Sequence, residues 1–104
     1  MEENNNNLNG ATEMNTAANA LDSRIAEMTE QQVLDGLKCL KGMFGTIADG
    51  TWADEAKRVR AGLLCSLEDV HGWSEYRTEL LSAEMFWGAE MVANVEAMHA
   101  AGLI

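Results

Sequence analysis

The feature that most constrains this chain is a helical spacing of apolar residues, carried to its last residues without a single proline. Proline removes a backbone donor and clashes with the preceding turn, so its absence lets helices persist. Between Thr51 and Ile104 only one strong break stands out, Gly72-Trp73-Ser74. Alanine, leucine, methionine and glutamate are abundant, and all four favour helix. The expected fold class is therefore all-α, a small bundle of about four helices with a flexible N-terminal tail.

The stripes and their punctuation place those helices near 13–28, 30–48, 52–71 and 75–101. Met14, Ala18, Leu21, Ile25 and Met28 recur at intervals of three and four, the spacing of one helix face. Thr29 and Gln32 form a capping box at the next start. Val33, Leu37, Leu40, Phe44 and Ile47 then make the second stripe. Gly36, Gly42 and Gly45 cost this helix stability, which reads either as close packing against a neighbour or as a softened end near Gly42–Gly45. Asp49-Gly50 is the expected stop. Thr51 with Asp54 reads as a second capping signature, followed by Ala56, Val59, Leu63, Leu67 and Val70. Ser74 caps the last helix, whose stripe is Tyr76, Leu80, Ala83, Trp87, Met91, Val95 and Met98. Gly102 is its expected stop. At about 26 residues this helix would be near 40 Å long, more than a small core needs. The core is expected to include Leu63, Leu67, Leu80, Trp87 and Met91.

One hundred and four residues suit a single domain, expected over residues 12–104. Glu2-Glu3 and Asn4 to Asn7 offer nothing to bury, so residues 1–11 read as a disordered tail. No apolar run approaches the roughly 18–20 residues that span a bilayer. The acidic, asparagine-rich start has no signal-peptide character. Cys39 and Cys65 match no zinc or redox spacing, and each falls inside a predicted helix, where buried free thiols are common. Two reduced cysteines and a cytoplasmic setting are expected.

Seventeen acidic residues face seven basic ones, for a net charge of −10. Such a chain is repelled by nucleic-acid phosphates and by anionic membranes. The acidity gathers at the two ends, with residues 1–32 at −5 and residues 74–104 at −4. Glu75, Glu79, Glu84 and Glu90 share the last segment with a single cation, Arg77. They are the expected partner-binding residues, either as an acidic face steering toward a basic protein or as a solvated surface. Phe86, off the main stripe, and Trp52, at a helix start, are added as aromatic contact candidates, because aromatics outside the core are enriched in interfaces. Lys57, Arg58 and Arg60 form one basic cluster, with Asp54 and Glu55 spaced to pair with it along the helix.

Catalytic chemistry finds no support. His71 and His99 sit near helix C-termini, where an imidazolium interacts well with the macrodipole. Glu96 and His99 have a di-metal spacing, but that site needs the motif twice plus two more glutamates. There is no nucleophile elbow and no phosphate-binding glycine loop. No catalytic, cofactor-binding or metal-ligating residue is assigned, and no cofactor is expected.

In size, acidity, lack of catalytic motifs and asparagine-rich start, the chain resembles small helical phage-encoded inhibitors such as anti-CRISPR proteins. The resemblance is compositional and transfers no individual residue. It implies a non-enzymatic inhibitor docking an acidic helical surface on a basic, nucleic-acid-binding surface of a host complex. The alternative is a self-associating structural or regulatory protein whose long last helix forms a homodimer.

Overall fold

A computed structural model describes residues 20–47 and 50–104. The expected tail, the first part of the first helix (residues 13–19), and Asp49 lie outside them. Among the described residues the fold is helical without strands. α1 covers 20–26, α2 Glu30–Phe44 and α3 Asp54–Asp69. α4 covers Glu75–Ser82 and runs into a π-helical turn, Ala83–Trp87. α5 covers Ala89–Ala100.

The caps explain most of these limits. Thr29 accepts from the Gln32 amide while the Gln32 side chain accepts from the Thr29 amide, closing the expected box at α2. α2 ends sooner than 48 because Gly45 leaves helical space at φ 74°, its N–H still donating to the Lys41 carbonyl. Ile47 therefore reaches the core from a 3-10 turn beyond the helix. The Thr51 cap does not form: α3 begins after Ala53, whose side chain can accept no amide. Asp54 and Glu55 instead occupy the first turn, where carboxylates favour the positive helix end. Gly72 closes α3 at φ 75°, with the Trp73 amide donating back to Leu67. Ser74 caps α4 by accepting from the Arg77 amide.

The core forms where α1, α2, α3 and the π-helical turn meet. Val33, Leu37, Leu67 and Phe86 are its fully buried large side chains. Glycine sets two of the approaches. A Cβ at Gly36 would meet Leu63 Cδ1 at 3.3 Å, and one at Gly62 would meet Ile25 Cδ1 at 3.1 Å. The close-packing account thus holds for Gly36 but not for Gly42, where a Cβ would meet nothing within 4 Å.

The last helix departs most from expectation. It is two helices, not one rod of 40 Å. The π-helical turn ends with the Gly88 amide donating to the Ala83 carbonyl at 2.9 Å, and Gly88 has φ 127°. The chain folds back so that α5 packs on α4, with Tyr76 and His99 stacked at 3.7 Å between ring centroids. Gly88 is thus a second strong break after Gly72. A π turn holds one more residue than an α turn, which rotates the side chains it carries off the α-helical stripe. That rotation swaps two neighbours. Phe86 is fully buried, while Trp87, expected in the core, is 42% exposed. Leu63 and Leu67 are buried as expected, and Leu80 and Met91 are half-buried.

Candidate functional site

Two of the six expected contact residues are interior. Trp52 lies between Phe44 and Phe86, with ring centroids 5.1 Å and 5.3 Å away, the second pair edge-to-face. It is 5% exposed and Phe86 is fully buried, so neither offers a surface to a partner. Their packing also accounts for Arg60. Its guanidinium carbon sits 5.0 Å from the Trp52 ring centroid and 5.8 Å from that of Phe86, as a cation over aromatic faces. Burial holds the Arg60 pKa below its usual value, and among the described residues its Nη1 has no hydrogen-bond partner. Trp52 therefore anchors the core with a cation on its face.

The four glutamates are exposed. Glu75 and Glu79 lie on one face of α4, a turn apart, and look across to the end of α3. There they come within electrostatic range of Glu68. Glu68 sits in a shallow pocket with Thr78, Glu79 and Ser82. Partial burial pushes its carboxyl above the usual carboxylate range, and the charges of Glu75, Glu79 and Asp69 push it the same way. The nearby Thr78 side chain acts in the opposite direction. Glu84 stands on the π-helical turn and Glu90 in the first turn of α5, past the reversal at Gly88. The structure thus gathers Glu75 and Glu79 with Glu68, which the sequence reading passed over. Its signal was available: Glu68, eleven residues before Glu79, stands one turn before the break at Gly72. The lone cation of this segment is engaged, with the Arg77 guanidinium 3.6 Å from the Trp73 ring centroid.

The other candidates resolve individually. Cys39 and Cys65 are free, as expected, but both are exposed rather than buried, since they fall off the apolar stripes. His71 donates from Nε2 to the Met28 carbonyl at 3.1 Å, tying the end of α3 to the end of α1. His99 donates from Nδ1 to the Ile104 carbonyl at 3.0 Å. Among the described residues no group of three or more His, Cys, Asp or Glu is placed to hold a metal ion. No helix among them is long and apolar enough to cross a membrane. Trp87, Met98 and Leu103 are the exposed large apolar side chains of the C-terminal hairpin.

The chain matches no protein-family model, no curated protein and no solved structure.

The acidic junction has a measurable signature. A carboxyl whose folded pKa is raised contributes stability while protonated and loses it as pH rises through that pKa. Glu68 should therefore weaken the fold at neutral pH. Glu68→Gln is expected to raise the melting temperature near pH 7, and the gain should vanish near pH 3, below the ordinary carboxylate range of about 4. Thermal scans at the two pH values check it. Equal gains at both would remove the electrostatic account.

Proposed function

We propose that this protein is a non-enzymatic inhibitor that works by binding another protein, presenting the acidic face of α4 to a basic surface of the kind that holds nucleic acid. The convergence of Glu68, Glu75 and Glu79 carries the reading. Glu68 is held against ionisation by its partial burial and by the charges of Glu75 and Glu79, and a cationic partner relieves that cost. The net charge of −10 acts in the same direction at longer range, and the resemblance to phage inhibitors such as anti-CRISPR proteins agrees in size and charge.

Charge complementarity acts mainly on the association rate and is screened by salt. Once affinity capture from the native host yields a partner, Glu75→Lys with Glu79→Lys should slow association several-fold at low salt. The fold should tolerate the change, because it removes repulsion on Glu68. An association rate indifferent to both the substitutions and salt would overturn this reading.

Self-association is the second reading, favoured by Trp87, Met98 and Leu103 on the surface of one hairpin. Its original motive, an overlong last helix, is gone, because that helix folds back on itself. A homodimer would show as concentration-dependent mass in sedimentation, and a monomer at tens of micromolar would exclude it.

A further inference from the structure

A groove of about 490 Å³ lies between the end of α2 and the start of α3. Leu40, Met43 and Phe44 line it from α2, and Ala53, Ala56 and Val59 from the other side. Met43, at 72%, is the most exposed large apolar side chain among the described residues. Leu21, in the first described turn of α1, lines the groove as well.

The direction of α1 carries it into this groove. A Cβ at Gly36 would lie 3.8 Å from Met28 Cε, whereas Leu21 shares the groove with Leu40 and Phe44. α1 thus runs antiparallel to α2. Ile25 meets Gly62, and Leu21 sits with Ala56 and Val59, so α1 runs the same way as α3. Followed backward from Leu21, its axis heads for Phe44 and Ala53. Met14 stands seven residues before Leu21, or about 10 Å of helix. At about 100° per residue, Met14, Ala17 and Ala18 fall within about 60° of the direction of Leu21. Thr12, Asn15, Thr16 and Asn19 all fall at least about 120° away. No glycine or proline interrupts residues 11–20.

We propose that residues 13–19 continue α1 and lay Met14, Ala17 and Ala18 over Met43 in the groove of the same chain. The alanines suit a close approach to Ala53 and Ala56, and methionine fills irregular apolar space. The four polar side chains then meet solvent. Attachment decides the occupant: the segment joins α1 at the groove itself, so it competes with any separate molecule at the effective concentration of a very short linker. It thereby withholds from other proteins an apolar surface that would otherwise invite association.

In the full chain, carrying ¹³C at its methionine and alanine methyl groups, nuclear Overhauser contacts should join Ala17 or Ala18 to Met43. Mixtures of differently labelled copies should show no such contact between chains. Peroxide gives a second reading, since it oxidises accessible methionine to the sulfoxide. Met98 on the C-terminal hairpin is 40% exposed, so exposure among the described residues ranks Met43 ahead of it. A covered groove reverses that order, and peptide mass spectrometry should find Met43 oxidised several-fold more slowly than Met98. Ala18→Glu places a charge against the groove and should speed Met43 oxidation several-fold, with Met98 unchanged. Asn19→Glu adds the same charge on the opposite face and should alter neither.

Faster oxidation of Met43 than of Met98 in the unaltered chain, or no contact from Ala17 or Ala18 to Met43, would overturn the proposal, whether or not Ala18→Glu folds. Contacts found only between copies would overturn it in favour of a second molecule of this chain. Equal responses to Ala18→Glu and Asn19→Glu would overturn the placement of the stripe. Each of these outcomes leaves the α4 face standing, and that face fails instead on a salt-insensitive association rate.

Discussion

Phe86→Ala should cost about 3–5 kcal/mol, while Trp87→Ala should cost no more than about 1 kcal/mol. The two residues are adjacent and of similar character, so composition alone would give them similar weight. Their surroundings differ. Phe86 is fully buried, stands edge-to-face to Trp52, and lies under the Arg60 guanidinium. Its truncation opens a cavity in the aromatic cluster and leaves a half-buried cation over a void. Trp87 already meets solvent over 42% of its surface. For a domain of this size each kcal/mol moves the melting temperature by about 4–8 °C, so Phe86→Ala should lower it by more than about 10 °C. Thermal unfolding of both variants checks the pair. A larger loss from Trp87→Ala would restore an uninterrupted α-helical stripe and contradict the π-helical turn.

That pair also shows where local sequence rules stop. The starts of α2 and α4 were readable because a Thr or Ser hydroxyl satisfies amides within three residues, an interaction wholly contained in the local sequence. The stops at Gly72 and Gly102 were readable for the same reason, since both adopt positive φ. A π turn is decided by tertiary packing, and it turns its own residues off the α-helical stripe. Leu63 and Leu67, which precede it, were placed correctly, whereas Trp87 was not. Phe86-Trp87-Gly88 did carry a signal, because Gly88 is the only glycine between Gly72 and Gly102.

The candidate site was legible only as charge. Glu75 and Glu79 share a helix face by spacing alone, but their meeting with Glu68 depends on how α4 leaves α3. The surroundings of Ser66 on α3 were not legible at all. Ser66 falls within an apolar run, and nothing local distinguishes a bonded serine from one left without a partner. The basic cluster shows the same limit from the other side. Spacing put Arg60 with Lys57 and Arg58 as surface charge, yet Arg60 turns inward because the two aromatic residues beneath it, Trp52 and Phe86, come from different segments.

Replacing Gly88 with L-alanine should destabilise the protein by about 1–3 kcal/mol, the cost of forcing a side chain into a backbone region that only glycine occupies readily. At φ 127° and ψ −174° the conformation itself excludes an L residue. The site is otherwise open, since a Cβ there meets nothing within 4 Å, so packing adds no further cost. The chain has one means of escaping the strain. Residue 88 could return to helical angles and join the π-helical turn to α5 in a continuous rod. That would pull α5 off α4 and part the Tyr76 and His99 rings, now stacked at 3.7 Å. Either response lowers the melting temperature, by about 4–8 °C per kcal/mol. Loss of the nuclear Overhauser contacts between the two rings would identify the second. The mirror-image residue separates conformation from everything else. D-Alanine at position 88 reaches these angles without strain and narrows the unfolded ensemble, so it should match or exceed glycine. Ligation at Cys65 makes that variant accessible, with residues 65–104 supplied as a synthetic peptide. If L- and D-alanine destabilise equally, the reversal at Gly88 is not what holds α5 against α4.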